Sequence, residues 1–207
     1  MITIPAKLTD PLARETLDFL HASVAEPIAN HSIRAYVYAE FLVDHWNERH
    51  NKDYDPDTLF FAATLHDLGL GTAGANHPDR FEVAGADLAV DHLQKNGVAQ
   101  PTIDRVWDAI ALHTSLGIAQ RKGLISKLVT VATGMDFGAD SEPITDAMAA
   151  TLHAHYPRLD SAKTMITTIT TQARTNPAKA PLASLTHYLT RTAHLGPDPT
   201  IASRWDS

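Results

Sequence analysis

The sequence contains no cysteine. Disulfides, thiolate zinc sites and a cysteine nucleophile are therefore excluded, and any metal must be held by nitrogen and oxygen. Positive charge is also scarce: 17 Lys and Arg stand against 24 Asp and Glu, a formal net charge of -7. Such a balance raises no large positive field toward a phosphate backbone, so nucleic acid is not expected as a partner. No stretch approaches the roughly 18 consecutive apolar residues of a membrane span. The start, Met1 to Asp10, has neither the charged nor the long apolar region of a secretory signal. The expectation is a cytoplasmic protein with no membrane partner. Strand signals are nearly missing too: no Asn-Gly turn joins alternating segments, and β-branched residues gather only around Ile166 to Thr171. There is no internal repeat and no low-complexity linker.

What is present is enough apolar residue, 44% of 207 positions, for one sizeable core, and a single domain over residues 1–207 is expected. Helical spacing dominates. Asp10-Pro11 and Asp55-Pro56 each pair an N-capping carboxylate with a proline suited to the first helical turn. They open helices from about Pro11 to Val24 and from Pro56 to the His66-Asp67 pair. Between them a longer helix runs from Pro27 to about Trp46. Gly69 to Asn76 reads as a loop. Further helices are expected over Asp79 to Asn96, with Gly97 as the residue that ends it, and over Pro101 to His113. Four more follow: Ser126 to Asp136, Pro143 to His155, Leu159 to Arg174 and Pro181 to His194. The proline-punctuated tail, residues 196–207, is expected to run extended, with Trp205 available as an anchor. The fold class is all-α.

Chemistry concentrates in His66-Asp67, at the end of the apolar run Leu59 to Leu65. Neighbours on a helix point about 100° apart, so both can reach one ion only where the helix stops or its last turn distorts. Gly69 and Gly71 permit that. His31 lies upstream in the amphipathic stretch Asn30 to Tyr38, and Asp136 ends the run Lys127 to Met135. Singly, each is an ordinary packing or capping residue; together, on three helices, two imidazoles and two carboxylates form a nitrogen and oxygen donor set that leaves positions open on a first-row ion. His113-Thr114 brings an imidazole and a hydroxyl to another helix end. His113 is a candidate to donate a proton to a substrate nitrogen or to take a second metal, and Thr114 to orient it or the substrate. Glu82 is a weaker acid/base candidate, more typical of a pair with Arg34 or Arg80. His77 and His92 lack convincing neighbours.

The order His, His-Asp, Asp is that of the HD superfamily of metal-dependent hydrolases. The segments His31-Ser32-Ile33-Arg34-Ala35-Tyr36, Ala63 to Gly69, Arg80 to Asp87 and Trp107 to Ser115 resemble the cyanamide hydratase-like branch of it. The resemblance implies an HD-type helical bundle with a metal-binding core over about 28–140, extra N-terminal helices and a C-terminal helical extension over about 141–195. It also implies His31, His66, Asp67 and Asp136 as ligands of one divalent metal, zinc in that branch, although iron, manganese or cobalt suit the same donors. The implied reaction is hydration or hydrolysis of a small nitrogenous compound, as of cyanamide to urea: water activated on the ion attacks the nitrile carbon, with Asp67 or His113 managing protons. A phosphohydrolase would instead need Arg34, Arg121, Lys122 or Lys127 against phosphate oxygens. A two-iron oxygenase would need His92 or His113 as added ligands, and a non-catalytic helical binding module would need no metal. The partner is then a small-molecule substrate, and the apolar residues of the flanking helices suit packing within the chain or in a homo-oligomer.

Overall fold

The computed structural model describes residues 2–192 and 205. Among the described residues there are eleven α-helices, three short 3-10 turns and no strand. The all-α expectation holds. The helices are α1 (Pro11–Ser23), α2 (Glu26–His45), α3 (Pro56–Leu65), α4 (Thr72–Asn76), α5 (Phe81–Lys95), α6 (Gln100–Leu112), α7 (Ala119–Lys122), α8 (Leu124–Asp136), α9 (Asp146–His155), α10 (Ser161–Thr175) and α11 (Leu185–Thr192).

The caps read from sequence are made. The Asp10 carboxylate accepts from the Leu12 amide and that of Asp55 from the Thr58 amide, each with proline beginning the helix. Gly97, at φ +70°, takes the left-handed turn after α5. α3 is apolar all round, and every side chain from Thr58 to Leu65 is buried. It therefore lies inside the bundle, packed against α2, α6 and α8, while α2 also packs on α8 and α5 on α6. Phe60, Phe61, Leu59, Leu65, Ile33 and Leu42 are among the largest fully buried side chains.

Some boundaries differ from expectation. The segment after Gly69 is not a plain loop: a 3-10 turn over Leu68–Leu70 and the short α4 occupy it. α7 is too short for sequence periodicity to reveal. α9 starts at Asp146, where the Thr145 hydroxyl caps the Met148 amide. α10 starts two residues later than expected because Leu159 and Asp160 both adopt positive φ, 50° and 57°, which no helix accommodates. The β-branched run within α10 is helical, with the hydroxyls of Thr168 and Thr170 bonded to the carbonyls of Thr164 and Ile166. The last expected helix begins at Leu185, four residues later than expected, and is described to Thr192; Ala193 and His194 lie outside the described residues. The expected tail lies outside the described residues apart from Trp205, whose indole Nε1 is 3.4 Å from Asp146 Oδ1 and whose ring meets His153 edge-on.

Candidate metal centre

α3 ends at Leu65, and His66 and Asp67 occupy the turn beyond it, with the Leu70 amide bonded to the Asp67 carbonyl. Gly69 lets this turn lie directly on the first turn of α5. A Cβ on Gly69 would stand 1.9 Å from the Phe81 carbonyl oxygen and 2.9 Å from the Gly85 amide, and one on Gly85 would crowd Gly69 and His66 in return. The two glycines thus serve close backbone approach, not the left-handed freedom that ends many helices.

Three imidazoles face Asp67. His31 comes from α2, His66 from the turn and His113 from the end of α6. His66 Nδ1 lies 2.8 Å from the Ala63 carbonyl and His113 Nδ1 2.7 Å from the Ile110 carbonyl. A carbonyl only accepts, so each Nδ1 carries the proton and each neutral ring presents a bare Nε2. His31 Nδ1 lies 2.7 Å from Asp136 Oδ2, which fixes the same tautomer. The three Nε2 atoms stand 3.7, 3.1 and 3.8 Å from the Asp67 carboxylate for His31, His66 and His113 in turn. Those of His31 and His66 are 3.2 Å apart.

Asp67 is fully buried, yet neither of its oxygens receives a hydrogen bond. A buried carboxylate without donors, facing lone pairs of neighbouring imidazoles, is a costly arrangement unless a cation sits among them. His31, His66 and Asp67 bring one donor atom each within 4.8 Å of one another, spacings that suit ligands sharing a first-row ion with bonds of about 2.0–2.2 Å. These groups also set one another's charge. Burial opposes charge on Asp67, but the imidazoles, His66 foremost, outweigh it and hold the carboxyl well below the usual carboxylate range. Burial likewise opposes charge on His66, but Asp67 lifts it above an ordinary imidazole. Burial dominates at His31, which is lowered, and at His113, lowered to about 4.

Asp136, expected as the fourth ligand, is placed differently. Its carboxylate is engaged by Arg34, whose Nε and Nη2 donate at 2.8 and 2.7 Å, by Arg158 at 3.2 Å and by His31 Nδ1. Arg34 stands one turn after His31 on α2, and its fully buried guanidinium draws the carboxylate behind the His31 ring. Burial opposes charge on Asp136, but Arg34 outweighs it and its carboxyl falls far below the usual range. Sequence order gave no sign of this, because Arg34 and Asp136 are far apart along the chain.

The other residues singled out from the sequence resolve as follows. Glu82 is fully buried at the start of α5 and bonds Arg80 through both oxygens, while the Thr114 hydroxyl donates to Glu82 Oε1 and accepts from Arg80. Thr114 lines the cavity described next, but its hydroxyl hydrogen is committed to Glu82. His92 is remote from the centre, stacked on Phe19 at 4.2 Å and 3.3 Å from the Thr16 hydroxyl, and so is a packing residue. His77 pairs with Asp79 and Asp87 at the surface.

A cavity of about 360 Å³ opens onto His31, His66 and His113. Phe81, Phe137 and Leu116 form part of its wall, and among the described residues no Lys or Arg lines it.

The HD domain model matches residues 28–153, more than half of the chain. The chain belongs to the HD domain family. No curated protein matches it closely enough to count as a relative. Membership and the buried His/Asp cluster together indicate a metal-dependent hydrolase, and His31, His66 and Asp67 fit the divalent-metal binding typical of HD domains. The matched segment ends within α9, and α10 and α11 lie outside it. Among the described residues no helix is long and apolar enough to cross a membrane.

Proposed function

We propose that this HD domain protein hydrates or hydrolyses a small, uncharged nitrogenous compound, in the manner of cyanamide to urea, with a divalent ion, zinc foremost, held by His31, His66 and Asp67. The observation that carries the choice of substrate is the lining of the cavity: beside the imidazoles it holds the hydroxyl residues Thr114, Thr130 and Thr133, Gln120, Asp140 and hydrocarbon, and among the described residues no Lys or Arg. A phosphate ester would bring negative charge into a space where the described residues offer no lysine or arginine to receive it, and where Asp140 already stands.

The cations that a phosphohydrolase would use are engaged elsewhere. Arg34 is spent on Asp136 and the carbonyls of Tyr156 and Pro157. Arg121 bonds the Gly117 carbonyl, Lys122 pairs with Asp108 at 3.1 Å, and Lys127 sits over the Trp46 ring. The two-iron alternative loses His92 to its stack on Phe19.

When bound, the ion supplies Lewis acidity and a water whose proton leaves near neutral pH. The residues supply the rest. Asp136 and Arg34 hold the His31 ring by its Nδ1 side, and the Ala63 carbonyl does the same for His66. His113, its Nδ1–H fixed on Ile110, turns an unprotonated Nε2 toward Asp67 and the cavity. It therefore starts as a proton acceptor and returns that proton to the substrate nitrogen only after taking it from water, which revises its expected role as an initial donor. The pair of Glu82 and Arg80 fixes Thr114 beside it.

Parallel assays of the zinc-loaded protein test this reading: urea release from cyanamide and phosphate release from deoxynucleotides. Urea release, lost in His66→Ala and reduced at least about 100-fold in His113→Ala, is the expected result. Phosphate release without urea release overturns it.

A further inference from the structure

We infer that the substrate carries an apolar substituent, an aliphatic or aromatic group on the nitrogenous head, and that the C-terminal helices α10 and α11 select it. This rests on the hydration reading above and narrows its substrate class. Cyanamide has three heavy atoms and occupies on the order of the space of two waters, ~60 Å³. The cavity measures about 360 Å³, within the range of pockets that enclose drug-sized ligands. Most of it would stand empty around so small a molecule.

Apart from the imidazoles, three threonines, Gln120 and Asp140, the cavity is lined by hydrocarbon, much of it a wall from the C-terminal helices. Met165, Ile166 and Ile169 of α10 and Leu185 and Leu189 of α11 form that wall, and Leu116, 75% exposed, stands at the lip. All five wall residues fall outside the segment matched by the family, residues 28–153. The family part thus supplies the imidazoles and the extension supplies the surface that an apolar group would bury. α10 is fixed firmly enough to be a wall: the Gln172 amide donates to the Gly69 carbonyl at 3.0 Å, and the buried Lys179 ammonium just beyond α10 donates to the Gly74 and Asp79 carbonyls at 2.6 and 3.0 Å. The reaction on such a substrate is balanced as for the parent compound. The water oxygen bonds to the nitrile carbon and becomes the carbonyl oxygen, both C≡N π bonds are lost as that C=O double bond forms, both water hydrogens finish on the former nitrile nitrogen, and the product is a substituted urea with no net redox change.

Binding of the products separates the wall from the chemistry. Urea and benzylurea are titrated calorimetrically into the zinc-loaded full chain. Benzylurea is expected to bind at least about tenfold more tightly, because only it buries apolar surface, and with a negative heat-capacity change. Met165→Glu and Leu185→Glu, both at half-buried positions, should each weaken benzylurea at least about tenfold with zinc content unchanged. Should either glutamate variant fail to fold, Met165→Trp, which fills the space without adding charge, should also reduce benzylurea binding. Equal affinities for the two ureas, or folded variants that hold benzylurea as the parent does, overturn the assignment. Turnover is read separately with benzylcyanamide and cyanamide. If benzylurea binds as expected and neither cyanamide is hydrated, the hydration reading fails while the apolar wall stands.

Discussion

Asp67 and Asp136 are both wholly buried and both lie within reach of His31, yet one carboxylate collects every donor in its surroundings and the other collects none. Asp136 is saturated by two arginines and an imidazole, so its lone pairs are used in holding a ring still. Asp67 faces three bare nitrogens, so its charge has no protein partner that satisfies it by hydrogen bonding. Burial alone does not tell a ligand from a brace; the inventory of donors does.

Three substitutions sharpen or break that contrast. The largest effect is expected from Arg34→Met, which leaves Asp136 buried without its principal partner. Urea unfolding should show a loss of about 3–5 kcal/mol, and a loss below about 1 kcal/mol would mean that the carboxylate is satisfied without the guanidinium. Next comes Asp67→Asn. In the parent, zinc at about one hundred times its dissociation constant should raise stability by about 2.7 kcal/mol, and the variant should lose that gain while its metal-free unfolding remains cooperative. Thermal melts with and without zinc read this directly, and an undiminished gain would remove Asp67 from the ligand set. The smallest effect is expected at His92→Leu, a histidine in neither class. Burial between Phe19 and Thr16, with Glu15 and Lys95 as the nearby charges, lowers the His92 pKa below the ordinary 6.5. The folded state therefore disfavours the protonated ring, so this contribution is whole above pH 6.5 and declines as pH falls through and below that value. Melts between pH 7 and pH 5 should show the parent losing slightly more than the leucine variant, by less than the 2–4 °C that about 1 kcal/mol is worth in a chain of this size.

Sequence reading reached the helices with local signals and missed those set by distant contacts. The Asp-Pro caps and the glycine after α5 are local, and their helices begin or end close to where the pattern places them. His31, His66 and Asp67 were legible because their order along the chain mirrors the meeting of α2 with the end of α3. The placement of Asp136 was not, since it turns on Arg34 and Arg158, which approach it only in the folded bundle. Glu82 read as a mid-helix acid; its burial follows from Arg80 and Thr114, and the pairing with Arg80 was one of two partners the sequence allowed. The apolar wall was invisible for a different reason. Met165, Ile169 and Leu189 are ordinary helix residues in sequence, and only packing aims them at one space.

The contact of Gln172 and Lys179 with the carbonyls of Gly69 and Gly74 gives the extension a second duty. The same segment that shapes the ligand's surroundings also steadies the loop that follows His66 and Asp67. Selectivity and upkeep of the reaction centre are therefore not independent traits in this molecule. A lineage that remodels α10 to admit a new compound must do so without loosening the bolts it shares with the histidine turn, which confines such change to side chains facing the opening and away from residues 172 and 179.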